Sequence, residues 1–417
     1  MSGRYRVPEH PRGFICGEEE ERAVLDAIRH GGSLSYAGPN LPAFEREFAD
    51  YVGVDHAIAV ANCTVGLFVA AQALRLGVGD EVIMTPQTFR ATAAGLIIKG
   101  VRICFADIDD SLNLDPETIE SLITERTKAV FVTHMHGNPA DMPRILEIAR
   151  ARGLYVVEDA AHAPGATCDG VCVGGFGDLT VFSFHSLKNM STGGEGGMIT
   201  ARDRSLADAC RALRTMGVHG DLVSRETRGF GRYAKPDFYY NDHSGGAFDA
   251  YYRPGYELGM NMRLSDLQAA FGRVQLRRLD AMNATRARIA ARYDDVVRDL
   301  PVFNRFEPRR GDRCVYHLYP LRLNTDVCGW SRDEVVRYLQ EDRGIEMLLR
   351  YFPVHLSEYM QHAGYRLGAC PVCERIYFEE MINLPISPNL TEEQIDWVCG
   401  SLVEVNRRAV SAGHLTR

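Results

Sequence analysis

Short apolar runs alternate along the first half of the chain with longer stretches whose apolar residues recur every three or four positions. The short runs carry β-branched and aromatic residues, the pattern of buried strands, and the longer stretches have the period of helices. Glu18 to His30 reads as an amphipathic helix with acids in its first turn and Gly31-Gly32 closing it. Leu41 to Tyr51 carries a second, short helical pattern. The alternation then begins, with strand Ala57–Ala61, helix Thr64–Leu76, strand Glu81–Thr85, helix Ala91–Lys99 and strand Val101–Phe105. A helix over Pro116–Ile123 behind Asp115 as cap, strand Ala129–Thr133, helix Met142–Arg152 and strand Leu154–Glu158 complete it.

Such βαβ alternation predicts an α/β fold, a mostly parallel sheet with helices on both faces. Ligands of these sheets bind at the carboxyl ends of the strands. Asn62, Thr85, Asp159 and Ser183 all fall at predicted strand ends, so they are expected to converge although far apart in sequence. The stretch from Gly217 to Gly259, rich in Gly, Tyr, Arg and Asp, is too long for a plain connection and reads as a lid or a subunit-contact arm. A long helical segment follows from Leu264 through Leu267, Ala270, Val274, Leu276 and Leu279 towards Leu300. Pro301 to Pro308 looks like a boundary. The expected organisation is a large domain over 1–300, with an N-terminal arm and the extended 217–259 segment. A small C-terminal α+β domain over 301–417 would carry a strand at Val315–Leu323 and a helix at Ser331–Gln340.

Composition narrows the partners. Of 417 residues, 46% are apolar and 24% charged, enough for an ordinary globular interior, and 47 basic against 55 acidic residues give −8 at pH 7. That surface argues against general nucleic-acid binding. No run approaches the roughly 18 apolar residues of a membrane span; the longest candidate, Ala93 to Ala106, is broken by Lys99 and Arg102. Met1 to Phe14 is polar and lacks the apolar core of a signal peptide, so a cytoplasmic protein is expected. Eleven scattered cysteines suggest reduced thiols. Cys370-Pro371-Val372-Cys373 has no second pair at zinc-finger spacing and reads as a turn with two incidental thiols. His134-Met135-His136 alternates as along a strand, with both rings on one face and no third metal ligand in view.

The chemistry concentrates at two strand ends. Val181 to Ser183 is a β-rich run leading through Phe184-His185-Ser186-Leu187 to Lys188, with Gly193-Gly194-Glu195-Gly196-Gly197 behind it; Leu154 to Glu158 ends in Asp159. A lysine and an acid so placed are what pyridoxal phosphate (PLP) chemistry requires. The amine forms a Schiff base with the cofactor aldehyde, and the acid partners the pyridinium nitrogen. Any single lysine is by default a surface residue, but apolar residues precede this one and a glycine turn follows. Part burial would lower its amine's pKa towards the neutral form. Asp159 is equally suited to cap the residues from Ala160 onward. His162, one helical turn on, is placed to contact the cofactor ring or to stand behind it.

A phosphate needs donors, and Asn62-Cys63-Thr64 opens a helix whose free N–H groups attract anions. Thr64 Oγ1 and Ser183 could add hydroxyls, although Asn and Thr are also ordinary helix starters. Phe89 is a candidate to stack on the ring, or a plain core residue. The glycine run after Lys188 leads into strand Met198-Ile199-Thr200 and not into a helix, so it fails the context of a dinucleotide loop and reads as a tight turn.

These residues resemble the DegT/DnrJ/EryC1/StrS aminotransferases, PLP-dependent sugar and cyclitol aminotransferases of fold type I, the aspartate-aminotransferase-like fold. The resemblance is carried by Phe44 to Phe48, Ala59 to Thr64, Gly79 to Ile83, Glu158 to His162, Phe182 to Gly197, Gly259 to Arg263 and Gln268 to Ala270. Asn383-Leu384-Pro385-Ile386 matches the family's C-terminal region. It implies Lys188 as the Schiff-base lysine, Asp159 as the pyridine-nitrogen partner and His162 beside the cofactor. Cys63, Thr64 and Ser183 would hold the phosphate. It also implies that Asn261 reaches the phosphate of the neighbouring subunit, hence a homodimer with shared active sites. The implied reaction moves an amino group from glutamate or glutamine to a ketone on a sugar nucleotide or cyclitol, in natural-product or envelope sugar synthesis. Family dehydratases carry histidine in place of the lysine, so Lys188 speaks against that rival; other lysine-bearing PLP reactions and a catalytically idle regulatory protein are the remaining alternatives. The sequence departs from the family pattern at Cys63, where a smaller residue is usual, and in the long 217–259 segment. Arg225, Arg228 and Arg232 in that segment are either donor-carboxylate ligands or solvated charges.

Overall fold

The alternation closes into a seven-stranded sheet in a computed structural model that describes residues 5–9, 12–217, 258–309 and 311–413. Its strands are β1 (His56–Val60), β2 (Glu81–Met84), β3 (Arg102–Phe105), β4 (Thr127–Thr133), β5 (Tyr155–Asp159), β8 (Leu179–Ser183) and β9 (Gly197–Ala201), with a small hairpin of β6 (Thr167–Cys168) and β7 (Val171–Cys172) between β5 and β8. The order across the sheet is β1-β9-β8-β5-β4-β2-β3. β9 pairs antiparallel with both neighbours, and the other adjacent pairs are parallel. The C-termini of β1, β2, β4, β5 and β8 therefore open on one edge.

Alternation along each strand divides the interior. Ile58 and Val60 pack with α3 (Cys63–Ala73), α4 (Ala91–Ile98) and α7 (Arg204–Leu213) on one face of the sheet. Ala57 and Ala59 point the other way, to α2 (Asn40–Val52) and the long helix Asp266–Val297, while Val130 and Val132 meet α6 (Met142–Arg152). The amphipathic helix α1 (Glu18–His30) packs on Asp266–Val297. A second, three-stranded antiparallel sheet, β10-β11-β12, is built from Phe303–Asn304, Tyr319–Leu323 and Met381–Leu384.

Two details fix the elements that carry the site. Asn62 caps α3 by accepting a bond from Val65 N at 3.0 Å. Gly66, one turn later, lets that helix lie against β8: a Cβ there would stand 2.5 Å from Val181 Cγ1. The helix start is thereby held close to the strand end that bears Ser183.

The expected boundaries of helix Met142–Arg152 agree with the structure, while others shift. β4 ends at Thr133, and Met135–Gly137 forms a tight 3-10 turn with His136 at φ 62°. His134 and His136 therefore do not alternate along a strand. His134 bonds Glu158 Oε2 at 2.9 Å. Strand Tyr319–Leu323 starts four residues later than Val315, because Tyr316 adopts φ 46° and breaks extended pairing. The 217–259 segment, with Arg225, Arg228 and Arg232, lies outside the described residues except at its ends.

Candidate active site

At the carboxyl edge of the sheet lies a cavity of about 450 Å³. Asn62, Cys63 and Thr64 reach it from the end of β1 and the start of α3, Asp159 from β5 and Ser183 from β8. Phe89, His162 and Lys188 also line it. Of the eight residues singled out as cofactor ligands, Asn261 alone is not at this cavity; Thr85, expected at the same edge, is buried and does not line it. It is exposed and bridges Thr215.

Asp159 is 4% exposed. Its Oδ2 accepts a hydrogen bond from Thr92 Oγ1 at 2.6 Å and its Oδ1 one from Ala161 N at 3.1 Å. The Cys63 thiol lies 3.9 Å from Oδ1 as a weak donor. Burial pushes that thiol well above its usual range, and the Asp159 charge adds to the effect, so it stays protonated.

Lys188 sits in the loop after β8, where Gly13 of the N-terminal arm donates its N–H to Ser186 O at 2.8 Å. A side chain at Gly13 would collide with the backbone oxygens of Leu187 and Lys188, so the arm can press on this loop only as glycine. Part of the lysine's surface meets the open cavity, but protein encloses the rest. Burial pushes its amine down to about 8; the Asp159 carboxylate opposes this and the Arg350 guanidinium assists it. Its Nζ has no hydrogen-bond or ion-pair partner among the described residues.

His162 is buried and packs at a tilt of 35° against His317, with ring centroids 4.1 Å apart; its Nε2 lies 3.4 Å from Tyr351 Oη. Burial, and then the Lys188 charge, holds His162 well below the usual imidazole range, so the ring is neutral. Its Nδ1 has no hydrogen-bond partner among the described residues. Beneath the site Glu158 is fully buried. Burial alone would raise its carboxyl, but bonds from His134, Gly177 N and Thr180 Oγ1 outweigh this and hold it below the usual range.

The sequence missed one wall. His317, Arg350 and Tyr351, all from the C-terminal third, close the cavity opposite the strand ends. Phe89 is 45% exposed and packs its ring 5.4 Å from that of Tyr351. Thr88 and Thr133 also line the cavity, and neither was among the residues singled out from the sequence.

The donor set fits PLP. A free, easily deprotonated amine and an acceptor-only carboxylate share a cavity with helix-start N–H groups suited to a phosphate and an orphaned, buried imidazole nitrogen. Cys63 and Thr64 at the start of α3, with Ser183, would hold the phosphate. Asp159 would hold the ring nitrogen, His162 and Phe89 would flank the ring, and Lys188 would hold the aldehyde carbon.

Comparison with known proteins is consistent with this chemistry. The model of the DegT/DnrJ/EryC1/StrS aminotransferase family matches residues 15–403. The spore coat polysaccharide biosynthesis protein SpsC of Bacillus subtilis is 36% identical over 397 residues, covering 95% of this chain and 96% of that protein. The solved structure of the aminotransferase TlmJ from Streptoalloteichus hindustanus superposes with a TM-score of 0.81 at 31% identity, covering 97% of this chain and 100% of TlmJ. That of Helicobacter pylori PseC, an aminotransferase involved in the biosynthesis of pseudoaminic acid, gives 0.82 at 25% identity over 96% and 99% of the two chains. The chain belongs to the DegT/DnrJ/EryC1/StrS aminotransferase family and is a PLP-dependent aminotransferase of fold type I.

Proposed function

We propose that this enzyme transfers an amino group from glutamate or glutamine to a ketone on a sugar nucleotide or cyclitol, in envelope or natural-product sugar synthesis. The observation that carries the reading is the meeting of Lys188 Nζ, Asp159 and His162 on one cavity. The pathway class is supported by SpsC, a polysaccharide biosynthesis protein, and by PseC, an aminotransferase for pseudoaminic acid. Bound PLP supplies an aldehyde that takes up the amine and a ring that draws electrons from the donor's α-carbon.

The chain's own residues do the rest. Lys188 Nζ, with no competing partner among the described residues, is the base that takes the α-proton. Asp159 holds a proton on the ring nitrogen. The neutral His162 packs without adding a second positive charge beside Lys188. Arg350 offers the donor a carboxylate anchor: its guanidinium lines the cavity and pairs with Glu9 at 2.7 Å, a contact that a substrate carboxylate would replace. Asn261, exposed and away from its own cavity, suits a residue that reaches the phosphate in a second copy, so we read the active unit as a homodimer. Among the described residues no helix is long and apolar enough to cross a membrane, in keeping with a cytoplasmic enzyme.

A donor screen tests the reading. The holoenzyme's yellow absorbance should bleach with glutamate or glutamine and return with a keto-sugar or keto-cyclitol. Bleaching by no amino acid would overturn it, as would full turnover by Lys188→Ala.

A further inference from the structure

Three threonine hydroxyls meet beside Asp159, those of Thr88 and Thr133 from residues that line the cavity. Thr133 ends β4, Thr88 lies in the loop after β2, and Thr92 is in the first turn of α4. They are 4%, 1% and 1% exposed. Thr133 Oγ1 donates to Thr88 Oγ1 at 3.1 Å, Thr88 and Thr92 Oγ1 are 2.8 Å apart, and Thr92 Oγ1 donates to Asp159 Oδ2 at 2.6 Å. Weaker alternatives run to the Phe89 carbonyl, at 3.1 Å from Thr92 and 3.5 Å from Thr88.

Each hydroxyl has a single proton to give. The carboxylate can only accept, so Thr92 spends its proton there. Thr88 must then donate to Thr92, and Thr133 to Thr88. The direction of the whole chain is set by its last member. Hydroxyls aligned in this way polarise one another, so the final bond is stronger than an isolated one.

We propose that Thr133, Thr88 and Thr92 form a one-way donor chain that keeps the Asp159 carboxylate aimed at the pyridine nitrogen, with Thr92 as a positioning residue for PLP. The inference rests on the reading of the cavity as the PLP site. A carboxylate fixed opposite the ring nitrogen accepts its N–H and so favours the protonated ring. The proton it faces therefore stays on the ring, where it is needed. The carboxylate is also pinned, since Ala161 N holds its other oxygen.

The test uses holoenzyme reconstituted with PLP labelled with 15N in the ring, read by solid-state NMR. Wild type should show a protonated ring nitrogen. Thr92→Val, which keeps the shape and removes the hydroxyl, should move the resonance towards the unprotonated position and weaken PLP binding about tenfold, the scale of one lost bond to a charged group. Thr92→Ser, which keeps the donor, should stay within about twofold of wild type. Thr133→Val should cause a smaller change than Thr92→Val, because it removes only the far end of the chain. An unmoved resonance and unchanged affinity in a folded Thr92→Val protein would overturn the proposal. Equal losses in the Val and Ser variants would also overturn it, since they would signal packing rather than donation. A wild-type protein that binds no PLP would instead overturn the reading of the site itself.

Discussion

The amine of Lys188 should titrate far below an ordinary lysine, and this sets how fast the apoprotein captures its cofactor. Burial brings it from 10.5 to about 8. At pH 7 about one molecule in ten then carries the neutral amine, against about one in three thousand for an unperturbed lysine, a gain of about 300-fold in the reactive form. The same displacement is a cost to folding. The unfolded chain holds this proton up to about 10.5 while the folded one begins to release it near 8, so the penalty is complete below pH 8 and fades as pH rises between the two values. Its size is at most about 3 kcal/mol, less what the open side of the cavity screens. Stopped-flow absorbance of apoprotein mixed with PLP, from about pH 6 to about pH 10, should show a capture rate rising to a plateau with a midpoint near 8. Denaturant unfolding over the alkaline arm should show Lys188→Met more stable than wild type at pH 7, with the difference shrinking towards pH 10. A capture midpoint near 10.5, or no stability difference at pH 7, would refute the argument that enclosure tunes this amine.

Three further outcomes follow from the geometry. Gly66→Ala places a Cβ 2.5 Å from Val181 Cγ1 and 3.3 Å from Val60 Cγ2. Overpacking of about 1–3 kcal/mol should outweigh the helix-propensity gain of about 1 kcal/mol, read as a lowered Tm together with weaker PLP binding. Glu158→Gln removes the charge that gathers His134, Thr180 and Gly177, and urea unfolding should show a loss of about 3 kcal/mol near neutrality. Because the folded Glu158 is held below its usual range, wild type keeps this advantage above the unfolded glutamate's titration and loses it as pH falls through the folded value. The two proteins should therefore converge in acid. Arg350→Ala should raise the amino donor's KM by about ten- to a hundredfold while PLP affinity stays unchanged, measured by steady-state kinetics and cofactor titration.

Strand ends were legible in the sequence because topology fixes them. Once Leu154–Glu158 and Val181–Ser183 are strands of one parallel sheet, Asp159 and Ser183 must share an edge, and the register confirms it, with Asp159 opposite Val181. Helix limits set by caps were legible too, as at Asp115, whose side chain accepts from Glu117 N. That helix nonetheless becomes 3-10 at Glu120, a change that apolar period does not encode. The C-terminal wall was illegible for a physical reason. His317 follows a residue with positive φ, and Arg350 and Tyr351 lie in irregular backbone, so no period marks their direction. Their place at the cavity comes from contacts between segments hundreds of positions apart.

The threonine chain lies between these cases. Thr92 is the one polar residue in the apolar run Ala91–Ile98, and Thr88 stands four positions before it. A polar side chain inside a buried apolar helix must find a partner or bear the cost of desolvation. That pressure, with Thr88 four positions back and Asp159 at another strand end of the same sheet edge, was the available signal. Period-based reading passes over it because a single threonine does not disturb the helical pattern.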